Sequence, residues 1–178
     1  MFESTVEPFL AFIAAHQAWA PWIVGAVAFS ESLAFLSLLI PGWGVLVACG
    51  ALIGAGAIPL WPTLIGGALG AALGDWLSYW IGWRFKDRVH HMWPLSRHPQ
   101  MLAKGEAFFL RWGALGVAIG RFFGPLRASV PLMAGIFEMP GWLFQIANFS
   151  SAFVWAGVLL APGAFGADAL KAVGAWFS

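Results

Sequence analysis

Two short segments of the chain place ionisable side chains beside helix-breaking residues, inside long apolar stretches. In the first, Glu31 is followed ten residues later by Pro41 and then by Gly42. In the second, Arg121 and Arg127 enclose the run Phe-Phe-Gly-Pro-Leu. A charge near the bilayer centre costs about 2.5–3.5 kcal/mol on insertion scales, and irregular backbone at that depth needs protein or a watery cavity around it. Together the two segments predict a path for something charged into or through a membrane.

The chemistry expected of these residues is the binding of a phosphate group. Arg121 and Arg127 are the candidate ligands, because a guanidinium group binds phosphate bidentately and stays charged at any relevant pH. Glu31 and Asp75 are candidate proton-linked groups, and the protonation of Glu31 could report whether phosphate occupies the arginines. The alternative stays open that each arginine only neutralises one of these acids and so holds the structure together.

The composition predicts an integral membrane protein. The 178 residues are 61% hydrophobic and 10% charged, whereas a soluble domain has about 25% charged residues. They suit one membrane domain spanning residues 1–178. A net charge of +1 argues against a nucleic-acid partner.

No cofactor, metal site or catalytic centre is expected. The lone Cys49 excludes an intramolecular disulfide and a multi-cysteine metal site. His90, His91 and His98 lack ordered spacing with acids and are interpreted as surface histidines. Without a Ser-His-Asp set or a usable carboxylate pair, the chain is not predicted to be an enzyme.

Stretches without charge define the expected spans. Residues 8–30 contain no charge over 23 positions, enough for one crossing of about 20 residues. His16 and Pro21 interrupt the segment, so the alternative is that part of it lies at the interface. Residues 32–74 are uncharged for 43 positions, too many for one crossing, and are divided into a re-entrant hairpin and the start of a span over 61–83. Ten helical residues rise about 15 Å, half of a hydrocarbon core of about 30 Å, so the chain would turn at mid-membrane.

Small residues recur every fourth position along the predicted span 61–83, at Gly66, Gly70 and Gly74, and predict close approach of another backbone. The polar stretch 84–111 follows, with six basic and two acidic residues. This excess of Lys and Arg predicts a cytoplasmic loop.

The same order recurs in the second half of the chain. Residues 112–138 are interpreted as a second re-entrant hairpin and 141–161 as another crossing, and the tail 164–178 either lies at the interface or begins a final span. The prediction is an all-α membrane protein built as an inverted repeat of re-entrant hairpin plus transmembrane helix, with flanking N- and C-terminal helices. The predicted turns contain Pro41, Gly42, Gly124, Pro125 and Pro131.

Several of these elements resemble the DedA family, the bacterial branch of the VTT-domain membrane proteins. The resemblance covers about residues 25–166 and is carried by these elements: Phe29-x-Glu31 with Pro41-Gly42, Cys49-Gly50, Gly74-Asp75 with Tyr79, Arg111-x-Gly113, Gly120-Arg121-Phe122 with Pro125 and Arg127, and Ala134-Gly135. It implies two re-entrant hairpins, a multi-pass protein of the bacterial inner membrane, and movement of lipids. The implied cargo is undecaprenyl phosphate or another anionic phospholipid.

One departure from the family pattern concerns proton coupling. Many members have a second acid directly after the Pro-Gly pair, but this chain has Trp43 there. The resemblance therefore implies either no coupling to protons or coupling through another group.

The partners implied are the lipid bilayer, an anionic lipid and protons, with a homo-oligomer or a lipid phosphatase left open. A lipid phosphatase is considered as a partner because residues 93–99 resemble the corresponding segment of DedA domains that are fused to such an enzyme. The rival interpretation is a non-transporting scaffold that recruits a partner protein in envelope homeostasis.

Overall fold

The computed structural model describes residues 8, 11–13, 15–33, 42–89 and 99–176, and all regular structure within them is helical. A 3-10 turn over Gln17–Trp19 follows a first helical stretch, of which residues 11–13 and 15 are described, and precedes six longer α-helices. These are α1 (Ala20–Ser32), α2 (Gly42–Gly54), α3 (Leu60–Val89), α4 (Pro99–Gly120), α5 (Gly124–Ile136) and α6 (Gly141–Trp176). Helices α1, α2 and α5 each have 13 residues, whereas α3, α4 and α6 have 30, 22 and 36.

Proline and glycine set the ends of several helices. Pro21 lies in the first turn of α1, where its missing N–H costs nothing. Helix α2 is followed by a turn in which Gly56 has φ +72°, a conformation that favours glycine. Helix α3 begins directly after Pro59, and helix α6 begins directly after Pro140.

Helix α3 is the centre of the fold and packs against α1, α5 and α6. Helix α1 runs parallel to it, along the predicted glycine ridge. A Cβ built on Gly66 or Gly70 would collide with carbonyl groups of α1, and one on Gly74 would lie 2.6 Å from the carbonyl oxygen of Phe29. The two backbones are therefore in direct contact, which only glycine allows.

Two further pairs of helices also pack with their backbones in direct contact. Helix α2 lies along α6, where a Cβ on Gly50 would collide with the carbonyl of Leu160. Helix α5 lies along α3, where a Cβ on Gly135 would collide with the carbonyl of Tyr79. The short helices α2 and α5 thus each rest on a long helix from the other half of the sequence.

The segment predicted as the second hairpin contains two arms and a tight turn. Helix α4 bends at Gly113, where φ is 47° and ψ is −126°, and then continues to Gly120. A turn over 121–123 reverses the chain into α5, which begins with Gly124 and Pro125. Pro131 lies inside α5, so its prediction as a turn residue is wrong.

Three helices extend beyond their predicted limits. The stretch 84–111 is not a single loop, because α3 continues to Val89 and α4 starts at Pro99. Helix α6 continues past position 161 and through Pro162 to Trp176, so the tail is not a separate element. Residues 8–30 do not form one helix, since the chain breaks at His16 before the 3-10 turn.

Within the part of the chain that the structure describes, Gly141–Gly166 is long and apolar enough to cross a membrane by itself. Gly42 is the first residue of α2. The predicted turn residue Pro41, most of the descending arm before it, and the three histidines between α3 and α4 lie outside the described residues.

Candidate functional site: a buried arginine–acid cluster

Arg127, in the first turns of α5, reaches across to the C-terminal end of α1. Its Nη1 donates to Glu31 Oε1 at 2.7 Å and its Nη2 donates to Ser32 Oγ at 3.0 Å. The guanidinium carbon Cζ of Arg127 lies over the ring of Trp155 on α6, 4.0 Å from the ring centre. Two helices, α1 and α6, therefore fix this side chain by an ion pair, a hydrogen bond to a hydroxyl and a cation–π contact.

Arg121, in the turn before α5, reaches α3 and α6. Its Nη2 forms an ion pair with Asp75 Oδ2 and also donates to Asn148 Oδ1. The amide of Asn148 in turn donates from Nδ2 to the backbone carbonyl of Ala72 at 2.9 Å. Asn148 thus links the arginine to the main chain of α3.

The four ionisable residues Glu31, Asp75, Arg121 and Arg127 form the arginine–acid cluster. Each is 7% exposed or less. Asp75 interacts electrostatically with both arginines, and the two guanidinium groups interact with each other, so this is one group of charges. Two positive and two negative charges sum to zero, which lowers the cost of burying them.

Apolar clusters lie on both sides of these charges. On α3, Ala72 belongs to one cluster and Tyr79 packs against the other, with Asp75 between them. On α6, Phe144 and Ala152 belong to the two clusters in the same way, with Asn148 between. The charges therefore form a polar layer between two apolar ones.

The guanidinium groups keep donors that no described residue uses. Within the described ranges, Arg121 Nε and Nη1, Arg127 Nε and the Asp75 Oδ1 acceptor have no hydrogen-bond partner. A buried donor without an acceptor costs about 1–3 kcal/mol, and more when it is charged. The arrangement is therefore suited to accept an oxygen-rich anion.

The family model described as the VTT domain matches residues 40–165, which include all of α2 to α5 and the first part of α6. The chain belongs to the VTT-domain family, whose bacterial branch is DedA. This match confirms the resemblance proposed from the charged segments.

Curated VTT-domain relatives agree with this membership. The chain is 35% identical over 152 residues to inner membrane protein YabI of Escherichia coli K12, covering 85% of this chain and 60% of that protein. It is 33% identical over 160 residues to a membrane protein of Buchnera aphidicola subsp. Acyrthosiphon pisum, covering 90% and 62%. Inner membrane protein YghB of E. coli K12 is 31% identical over 143 residues, covering 80% and 65%.

These comparisons confirm the predicted location in the bacterial inner membrane. The chain spans about six-tenths of the length of the first curated relatives it matches. No solved structure matches it.

The structure brings together all four ionisable residues predicted as site residues, of which Asp75, Arg121 and Arg127 lie within the VTT-domain match. It pairs Arg127 with Glu31 and Arg121 with Asp75, a choice that the sequence left open. Tyr79, one turn from Asp75, is directed elsewhere and donates to the carbonyl of Met139 at 2.7 Å. In the described ranges, no group of three or more His, Cys, Asp or Glu residues could hold a metal ion.

Two residues that contact Arg127, Ser32 and Trp155, were not predicted from the sequence. Ser32 follows Glu31 directly and could have been found as its neighbour. Trp155 could not, because it lies in the uncharged stretch 139–167, where nothing in the sequence marks it as facing an arginine. It is 5% exposed.

Proposed function

We propose that this VTT-domain protein moves a phosphate-bearing lipid across the inner membrane, with Arg121 and Arg127 binding the head group. The observation that carries the proposal is the pair of buried arginines beside the turn 121–123, which keep unused N–H donors. The cargo is undecaprenyl phosphate or another anionic lipid. Its hydrocarbon tail stays in the bilayer, so the protein need only shield the head group.

Charge balance gives the transport step a proton linkage. The arginine–acid cluster is neutral, whereas a phosphate monoester has a charge of about −1.5 to −2 at pH 7. For phosphate to bind, an arginine exchanges its carboxylate partner for a phosphate oxygen, and the released acid takes up a proton. Glu31 and Asp75 are the two acids available for this exchange.

Exposed tryptophans support a position of the cluster within the hydrocarbon layer. Trp61 and Trp83 are exposed and lie 22 residues apart on α3, which corresponds to about 33 Å and matches the thickness of the core. Asp75 lies eight residues before Trp83, about 12 Å along the helix. Asn148 lies six residues after the exposed Trp142, about 9 Å along α6.

The inverted repeat is part of this proposal. Glycine contacts in the two halves correspond: Gly50 meets Leu160 on α6, and Gly135 meets Tyr79 on α3. Positions 79 and 160 are each 19 residues after the start of their long helix. The contacts support two hairpins that enter from opposite faces and meet at the cluster.

The rival candidate is a scaffold in which the charges only hold the helices together. It is favoured by the observation that each arginine already has an acid partner. The two candidates differ in what they require of Arg127. A phosphate site needs the planar fork, whereas a counter-ion needs only a positive charge.

The deciding experiment measures head-group flipping in liposomes by purified protein with Arg127→Lys. A lysine can reach one acid, but it cannot stack flat on Trp155 and donate to two oxygens at fixed angles. We expect a loss of about tenfold or more, because a fork contributes charge-assisted hydrogen bonds of about 1.5–3 kcal/mol each. The exposed Arg84 gives the matched control, Arg84→Lys, which should flip like wild type.

The lipid panel contains a polyprenyl phosphate, phosphatidylglycerol, phosphatidylethanolamine and phosphatidylcholine. Preference for the polyprenyl phosphate is the expected result. Equal flipping by wild type and Arg127→Lys at equal protein abundance would instead support the scaffold.

A further inference from the structure

Asn148 places a fully buried amide on the apolar helix α6. Its Nδ2 atom carries two N–H groups, and both have acceptors. One donates to the carbonyl of Ala72 on α3 at 2.9 Å, and the other donates to Gln145 Oε1 on α6 at 3.3 Å. Oδ1 is therefore the end of the amide that faces Arg121, and it accepts a hydrogen bond from Nη2 of that arginine. Acceptors on two helices thus fix the orientation of this amide.

Arg121 donates to two acceptors from one nitrogen atom. Asp75 and Asn148 both accept from Nη2, whereas Nε and Nη1 have no partner among the described residues. Because a guanidinium group is planar and rigid, holding Nη2 from two sides also constrains the directions of the two unused nitrogens. In the described part of the chain Asn148 is the single neutral partner of Arg121, whereas Arg127 has two, a hydroxyl group and an aromatic ring.

We propose that Asn148 is a positioning residue that keeps Arg121 in place when a phosphate oxygen replaces Asp75 as its partner. The inference rests on the proposed function and deepens it, because the exchange of partners leaves Arg121 without its acid. Asn148 is neutral, so it stays bound during the exchange without cancelling the positive charge that attracts the anion.

The charge of the arginine–acid cluster favours an amide at this position over an acid or an apolar residue. When Asp75 takes up a proton, the charge of the cluster changes from zero to +1, which attracts an anion. An ionised acid at position 148 would return that charge to zero. An apolar residue would keep the charge but remove the anchor, so the phosphate would have to order Arg121 as it binds.

Asn148→Leu removes the anchor and keeps a side chain of similar size. Flipping of a polyprenyl phosphate in phosphatidylcholine liposomes is measured as a function of the mole fraction of that lipid. We expect the half-saturating mole fraction to rise about tenfold, the loss for one hydrogen bond to a charged group. Ser151→Ala is the matched control, because it removes a buried hydroxyl group whose hydrogen bond stays within α6. This control should flip the lipid like wild type.

Asn148→Asp separates positioning from packing. When protonated, the new carboxyl group has one O–H donor and one carbonyl acceptor, as the amide offers to Ala72 and Arg121. When ionised, it has acceptors only and adds a negative charge to the cluster. We therefore expect the ratio of its flipping rate to that of wild type to rise about tenfold as the pH falls from about 8 to about 5.

The ratio to wild type removes the titration of the other groups around position 148. These groups are Arg121 in the turn 121–123, Asp75 on α3, Arg127 on α5 and Glu31 on α1, and wild type contains all of them. Thermal unfolding shows whether each variant is folded. If Asn148→Leu is unfolded, the pH dependence of Asn148→Asp tests the inference by itself.

The outcomes separate this inference from the proposed function. A ratio for Asn148→Asp that does not change with pH would overturn the inference, as would a folded Asn148→Leu with the half-saturating mole fraction of wild type. Either result leaves the head-group site standing if Arg127→Lys has lost activity. Flipping by Arg127→Lys at the rate of wild type would overturn the proposed function and this inference with it.

Discussion

Removing the partners of the ion pair between Asp75 and Arg121, one at a time and then together, tests how the cluster is held in the membrane. The single substitutions are Asp75→Leu and Arg121→Met, and the double variant combines them. Both residues are 3% exposed or less, so either single change leaves a buried charge without its partner. The double variant removes both charges and replaces them with apolar groups.

The expected magnitudes follow from the contacts. Each single change should destabilise the fold by about 3–5 kcal/mol, the usual cost of breaking a buried pair. The double variant should lose only about 1–3 kcal/mol of folding free energy. This loss arises because Asn148 Oδ1 no longer accepts a hydrogen bond from Arg121, whereas Asn148 Nδ2 still donates to the carbonyl of Ala72. The coupling between the two sites is then at least about 3 kcal/mol.

Thermal unfolding in detergent, followed by tryptophan fluorescence, measures these differences. For a chain of 178 residues, a loss of 3–5 kcal/mol lowers Tm by about 6–20 °C. The exposed ion pair of Lys86 with Glu138 provides the matched cycle, with Lys86→Met and Glu138→Gln, and should show coupling of less than about 1 kcal/mol.

A Tm within about one degree of wild type for Asp75→Leu would refute the reasoning, because it would mean that Arg121 finds water or another anion when its partner is removed. The double variant also bears on the proposed function. It should be folded and abundant but inactive in flipping, whereas a scaffold would keep its function.

Three further results are expected. Gly70→Ala should lower Tm strongly, because the new Cβ collides with a carbonyl of α1. Gly44→Ala, with nothing within 4 Å of its Cβ, should be neutral or stabilising by about 0.5–1 kcal/mol. Equal effects of the two substitutions would contradict the close contact between α1 and α3. Trp155→Phe should keep most flipping and Trp155→Leu should not, since only an aromatic face can stack on the guanidinium group at 4.0 Å; identical activities would exclude a role for the ring. Arg97→Cys in a Cys49→Ala background should resist an impermeant thiol reagent added to intact cells, because the segment is predicted to be cytoplasmic, and labelling from outside would reverse the topology.

The charged residues of the site were predictable because charge in an apolar chain is rare. Glu31, Asp75, Arg121 and Arg127 are conspicuous by residue type, and their proximity follows from the cost of burying any of them alone. Their pairing was not predictable, since it depends on which faces of α1, α3 and α5 meet, and a single sequence does not record that.

Helix limits were predicted less well, for a physical reason. The predicted membrane spans end at the first charged residues, whereas a helix ends where its backbone hydrogen bonds end. The basic residues after Trp83 are good helix formers, so α3 continues to Val89. In α6, Pro162 lies inside the helix, which continues to Trp176, so this proline does not mark a helix end.

The ion-pair partners of the arginine–acid cluster are synthesised at different times, because they lie far apart along the chain. Arg127 lies 96 residues after Glu31 along the chain, and Arg121 lies 46 residues after Asp75. At about 5–20 residues per second of synthesis, Glu31 waits about 5–20 s for its partner. During that time α1 carries an acid without its partner, and placing this helix in lipid costs free energy until the carboxyl group takes up a proton or α5 has been made.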